Sequence, residues 1–117
     1  MTEERKYILK QAGISVEEVL GRFMGNDALL ERMLHKFLED QTYAQLAEAM
    51  EQEDRDRAFQ AAHTLKGVCG NLSMDRLFHL VSEQVELLRS GSWGAAQAMM
   101  PSVTRAYDAV CSSIGGN

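Results

Sequence analysis

Proline occurs once in this 117-residue chain, at Pro101, and aromatic residues make up only 7% of it. Runs of β-branched residues are few as well, so the balance tips away from sheet and toward helix. Cysteine is scarce: Cys69 and Cys111 stand far apart with no CxxC spacing, each among apolar neighbours, and read as reduced core residues. No apolar run approaches the ~18 residues a membrane span needs. The opening Met1-Thr2-Glu3-Glu4-Arg5-Lys6 lacks the apolar core of a signal peptide, so the expected location is the cytoplasm and no membrane partner is expected. A basic excess is missing too. Lys and Arg total 12 against 17 Asp and Glu, a net charge of -5, which argues against a nucleic-acid partner. Arg5-Lys6 follows two glutamates, and Arg55 and Arg57 alternate with Asp54 and Asp56, so neither pair makes a basic patch.

With 45% apolar and 25% charged residues, the chain is neither disordered, collagen-like nor low-complexity. It is long enough for one domain with its own core. Leu, Ala, Glu, Gln, Arg and Met are abundant, and helical periodicity recurs from end to end. Ser15 with Glu18 forms a capping box before Val16, Val19, Leu20 and Phe23. Asp27 is placed to cap the stripe Leu30, Met33, Leu34, Phe37 and Leu38, and Thr42 with Gln45 offers a second capping box ahead of Leu46, Ala49 and Met50. Asp54 opens a longer segment, and Ser73 is expected to cap the next, with Leu77, Val81, Val85 and Leu88. Ser90-Gly91-Ser92 reads as a turn, after which Pro101 kinks the last helix or begins its second part, and Gly115-Gly116-Asn117 reads as a frayed end. The expected fold is all-α: a single domain over 1–117, with an antiparallel four-helix bundle at roughly 27–113 preceded by one or two short helices within 3–24.

The segment Ala58 to Leu72 carries the chemistry. At ~100° per residue, Ala58, Ala62, Leu65, Cys69 and Leu72 fall within roughly 40° of one another and form its inner face. His63 falls on the outer side with Gly67 and Gly70, and Lys66 lies on its flank. Each interior glycine costs a helix about 0.8–1 kcal/mol relative to Ala, so two of them on an outer face call for a reason. Lowering the surface beside an exposed imidazole would let another macromolecule approach it, and Lys66 at i+3 would put a cation beside any anion on the ring. That combination suits a nucleophilic histidine that carries a phosphoryl group. The plainer reading is a surface histidine next to glycines that mark a helix end or a kink.

Other features read as structural. Met24, Met33, Met50, Met74, Met99 and Met100 are expected in the core, as is Trp93. His35 and His79 have no glycine at i+4, and Glu39-Asp40, Glu83 and Glu86 are expected in solvent. HxxE and ExxH carboxylate pairs are absent, which disfavours a di-metal bundle site.

Ala62-His63-Thr64-Leu65-Lys66-Gly67-Val68-Cys69-Gly70-Asn71-Leu72 resembles the signature of histidine-containing phosphotransfer (HPt) domains, approximately A-H-x-L-K-G-x-x-x-x-L-G. Gly13-Ile14-Ser15, Arg22 to Asn26, the apolar helix to Phe37, Leu77 and the Arg89-to-Ser92 turn are similar to the family pattern as well. The resemblance implies a four-helix bundle in which His63 accepts and donates the phosphoryl group and Lys66 orients or neutralises it. Gly67 would leave room for a receiver domain, with Gly70, Thr64 and Gln60 completing the docking surface. The implied partners are receiver domains of response regulators and hybrid sensor kinases. The implied divalent metal, magnesium, sits on the receiver, and no cofactor or metal is expected on this chain.

Two positions depart from the pattern. Ser73 stands where the family usually has Gly, and is expected to serve as a helix cap. The next helix reads Gln84-Val85-Glu86, so the position that commonly holds a polar residue against the second imidazole nitrogen is Val85. Gln84 or Glu86 is left to take that role. The implied protein is a free-standing, monomeric phosphoryl carrier in a multistep phosphorelay, without turnover of its own. The alternatives are a degenerate HPt-like or helical adaptor that docks partners without being phosphorylated, and a metal-dependent phosphohydrolase, for which no His/Asp cluster is found.

Overall fold

A computed structural model describes residues 1–115 of the chain. Eight helices follow one another among them: α1 (Glu3–Gln11), α2 (Val16–Arg22), α3 (Asp27–Glu39), α4 (Thr42–Glu51), α5 (Arg55–Asn71), α6 (Asp75–Arg89), α7 (Trp93–Ala98) and α8 (Met100–Ile114). The all-α expectation holds, and the long helices pack into a bundle. α5 lies between α4 and α6, while α8 packs on α6 and on α3. Gly70 near the end of α5 meets Phe78 near the start of α6, and Phe59 near the start of α5 lies under Arg89 at the end of α6, so these two helices are antiparallel. Tyr43 of α4 closes the remaining side, stacking on Tyr107 of α8 at 3.9 Å between ring centroids and sharing a 2.7 Å hydrogen bond with Thr104.

The stripes read from the sequence are the core. Leu30, Leu34, Leu46, Leu65, Leu77, Val81, Val85, Val103 and Val110 have no exposed area. Such burial, at about 25 cal/mol per Å² of apolar surface, is the main force holding helices of this length in place. Met24 departs from that expectation. It is 95% exposed, in a left-handed turn (φ 55) between α2 and α3. Of the two cysteines, Cys69 is fully buried, whereas Cys111 is only half-buried.

The helix ends differ from the expected caps in instructive ways. Asp54 caps α5 as expected, its carboxylate accepting the Arg57 N–H at 3.2 Å. At α3 the cap is Asn26, whose side-chain oxygen accepts from the Leu29 N–H at 3.0 Å. Asp27 is already helical, and its carboxylate pairs with the amino terminus. At α4 the Asp40 carboxylate accepts from the Thr42 N–H at 2.8 Å, and Thr42 itself is buried in the first turn. The Ser15 hydroxyl does not cap α2; it donates to Asp75 of α6. Ser73 is not a cap either, because it sits in the left-handed region at φ 52 with its side chain buried, a conformation that favours glycine. The residue preceding α6 is Met74. Pro101 begins the second part of the last helical stretch, in the first turn of α8, where its missing N–H costs nothing. The expected fray at Gly115-Gly116-Asn117 falls largely on Gly116 and Asn117, which lie outside the described residues.

Two arginines tie the short N-terminal helices to the bundle. Arg5 forks onto Glu31 of α3 at 3.0 and 2.9 Å and also donates to the carbonyls of Ser113 and Ile114, capping α8. Arg22 donates to the carbonyls of Gly70 and Asn71 at 2.7 and 2.9 Å and to the Ser73 hydroxyl at 2.8 Å, capping α5. The α1–α2 link pairs with the α5–α6 link through an isolated bridge between Ile14 and Met74. Gly13 is required there. Its φ is +89, and an added Cβ would come within 2.6 Å of the Arg76 Cβ.

Candidate functional site

His63 lies midway along α5, and its side chain is exposed, as the helical wheel requires. Ala58, Ala62, Leu65 and Cys69 hold the opposite face in the core with no exposed area. The ring is therefore carried on a rigid, fully packed helix rather than on a loop. This limits its motion while leaving the imidazole open to an incoming group.

Around the ring, Phe59 sits one turn before His63, with ring centroids 5.9 Å apart and a 34° tilt. The Arg89 guanidinium of α6 lies 5.5 Å above the centre of the Phe59 ring and pairs with Glu86. Arg89, Phe59 and His63 thus form a row across the α5–α6 seam, and a cation over an aromatic face at such a distance is attracted by about 0.5–1 kcal/mol at an exposed site. The sequence reading missed this row. Phe59 was available to it, since residues at i and i+4 share a helix face. Arg89 was not, because its place depends on the antiparallel register of α6.

Lys66, at i+3 from His63, is half-buried and makes no ion pair with any carboxylate among the described residues. Its ammonium is thus available to an anion brought to this face. Gly67 is exposed, and a Cβ added to it would meet nothing within 4 Å. The chain's own packing does not ask for glycine at this position. Gly70 differs: an added Cβ would come within 3.1 Å of Phe78 Cε1, so its smallness lets α5 and α6 approach each other. The expectation that both glycines clear the outer surface is corrected for Gly70, because the wheel could not show which neighbour stood beside it.

Gln60 and Thr64 are both exposed and line an open groove of about 340 Å³ with Gln45 and Arg57, between α4 and α5. On the other flank, Phe59, Gln60, Leu88 and Arg89 line a groove of about 400 Å³. Farther along α5, Val68, Asn71 and Leu72 meet Phe23 and Met33 in a third, about 440 Å³, whose lining is largely apolar.

The residues expected to hold the second imidazole nitrogen do not do so. Gln84 is fully buried on the far side of α6, where its Nε2 donates to the Ala96 carbonyl at 3.1 Å and lies 3.2 Å from Met100 Sδ. Glu86 is exposed and engaged with Arg89. A helix turns ~100° per residue, so the inward Val85 throws its two neighbours to opposite sides.

His35 and His79 are also exposed. His35 bonds through Nδ1 to the Glu31 carbonyl at 2.8 Å, and His79 lies in a groove between α6 and α8. Trp93 is buried beneath the Arg55 guanidinium, 5.4 Å from its ring centre, as expected of a packing residue. Among the described residues no three His, Cys, Asp or Glu side chains gather as metal ligands do, and no helix is long and apolar enough to cross a membrane.

Comparison with known proteins adds one finding. The family model described as "Hpt domain" matches residues 32–113, a span that runs from α3 to the end of α8 and contains His63, Lys66 and Gly67. The similarity noted at Gly13–Ser15 and Arg22–Asn26 falls outside that span. No curated protein and no solved structure matches the chain.

Proposed function

The chain belongs to the Hpt domain family, and on that premise we propose that it carries a phosphoryl group on His63 between receiver-domain aspartates in a multistep phosphorelay. The observation that carries this reading is the exposed imidazole midway along a packed helix, with open space at Gly67 one turn away. A receiver presents its aspartyl phosphate in a shallow site, so the histidine must stand proud of a surface with nothing rising beside it.

In the proposed step the neutral imidazole attacks phosphorus in line with the aspartyl oxygen. The N–P bond forms as the P–O bond breaks, the electron pair leaves with the receiver's carboxylate, and the ring's other N–H proton is released. Phosphoryl transfer of this kind depends on positioning and on neutralising the equatorial oxygens. Lys66 supplies one charge from this chain. Arg89, separated from His63 by Phe59 and paired with Glu86, positions Phe59 beside the ring rather than adding a free charge. The receiver's divalent metal, magnesium, adds charge neutralisation from the partner's side. The reverse reaction onto a second receiver regenerates the free ring, so the chain is a carrier without turnover of its own. Receivers of response regulators and hybrid sensor kinases are the proposed partners of a monomer working in the cytoplasm. Gln60, Thr64 and Gly67, with the apolar groove at Val68, form the proposed docking surface. Gly70 contributes indirectly, by seating α5 on α6.

The test is transfer from a radiolabelled, Asp-phosphorylated receiver. Wild type is expected to take up an acid-labile, base-stable label, and His63→Gln to take up none. A receiver that binds both proteins while labelling neither would replace the carrier reading with that of a docking adaptor.

A further inference from the structure

A groove of about 540 Å³ runs between α6 and α8, away from every residue assigned to the His63 face. Its walls carry Arg76 and His79 on α6 and Arg105 and Ser102 on α8, and its floor is Leu80 and Ala106. The groove exists because α8 offers small side chains where α6 offers a leucine, so the two helices do not fill the seam between them.

Its lining is basic, although the chain as a whole is acidic. The net charge is -5, and six of the twelve lysines and arginines, Arg5, Lys6, Lys10, Arg22, Arg57 and Arg89, pair with a glutamate. Arg76 and Arg105 pair with no carboxylate among the described residues. Arg76 donates to the Gln11 carbonyl at 3.2 Å, and Arg105 to the Ser102 hydroxyl at 3.2 Å, both neutral acceptors. Among the described residues, no acidic side chain lines the groove. Two unneutralised guanidinium groups and an imidazole therefore flank one apolar floor on an otherwise acidic protein.

We propose that this groove docks an acidic amphipathic segment of a partner protein, its carboxylates on Arg76 and Arg105 and its apolar side chains on Leu80 and Ala106. Charge complementarity selects the acidic partner. The apolar floor selects a peptide over a free inorganic anion, which would gain nothing from covering it. A partner held here leaves the face around His63 unobstructed.

The test is a titration of the ¹⁵N-labelled full chain with a blocked Leu/Glu amphipathic peptide of about 14 residues, long enough for marginal helicity. A second peptide with Gln for every Glu is titrated alongside. Resonance shifts are expected at residues 76–80 and 102–109. Binding should weaken at least about tenfold for the Gln peptide and for Arg105→Glu, since like charges facing each other across an interface are strongly unfavourable. Arg105 is exposed, and an unchanged melting curve for Arg105→Glu separates lost binding from lost fold. Equal affinity for both peptides, shifts centred elsewhere, or no shifts at all would overturn the proposal. So would saturation of the same resonances by pyrophosphate with no response to the peptide, which would mark a small-anion site instead.

Discussion

Along α5 the inward side carries Ala58, Ala62, Leu65 and Cys69 with no exposed area, while the outward side carries His63, Thr64 and Gly67, all open to solvent. The inner residues are small or branched apolar groups whose value lies in what they touch within the chain. The outer ones have few such contacts, and their value lies in what they leave accessible. Stability and chemistry are thereby divided between two sides of one helix, so that removing the imidazole should leave the packing of the inner side intact.

The largest expected effect tests that division directly. Leu65→Ala should cost about 2–5 kcal/mol in urea unfolding, as deletion of a fully buried leucine does. His63→Gln should shift stability by less than about 0.5 kcal/mol, as surface changes do, while abolishing labelling by a phosphorylated receiver. If His63→Gln destabilised the chain as Leu65→Ala does, the histidine would be a packing residue and the division would fail.

The two glycines sharpen the same comparison. Gly67→Ala should raise stability by about 1 kcal/mol, the helix-propensity gain at an unobstructed position, while slowing transfer from a receiver that must close over it. Gly70→Ala gains the same propensity but pushes a methyl to 3.1 Å from Phe78, so it should be less stable than Gly67→Ala by about 1 kcal/mol, a typical overpacking penalty. In a Phe78→Leu background that gap should close. A double-mutant cycle measures the coupling.

How far the sequence was legible follows from the range of each signal. Helical stripes are local, so Leu30, Leu34, Leu65 and Val81 could be assigned to the core from spacing alone, and the exposure of His63 from the same wheel. Caps and clefts depend on partners distant in the chain. Ser15 bonds Asp75, Arg22 caps α5 from α2, and Gly70 faces Phe78, and none of these pairings leaves a periodic trace. Gln84 shows the same limit. Beside the inward Val85, its burial against the Ala96 carbonyl depends on where α7 folds back.

Ser73 offers a smaller effect at the end of the helix. Its left-handed backbone (φ 52) costs a non-glycine residue about 1–2 kcal/mol, and its hydroxyl recovers part of that by accepting from Arg22. Ser73→Gly should therefore stabilise by about 0.5 kcal/mol, and Ser73→Ala should destabilise by about 1 kcal/mol, since it loses the hydrogen bond and keeps the strain. The opposite order would mean that the hydroxyl outweighs the backbone at this turn.

The smallest effect contrasts the two cysteines. Burial, with the charge of Asp40 adding to it, pushes the Cys69 thiol from 9.0 up to about 12, and burial raises the half-buried Cys111 as well. Only the thiolate reacts, so at mildly alkaline pH half-buried Cys111 should alkylate more slowly than a free thiol but faster than Cys69, which reacts only as fast as the chain opens. The linkage has a definite sign. Below pH 9.0 both states keep the Cys69 proton and its contribution to stability is intact. Between 9.0 and about 12 the unfolded chain loses that proton while the folded chain retains it, so stability falls as pH rises. Cys69→Ala removes this term, and its urea midpoint should fall less than that of wild type when the pH is raised from about 8 to about 10. Equal falls in the two proteins, or alkylation of Cys69 at the rate of Cys111, would mean that the inner face of α5 opens far more often than its packing implies.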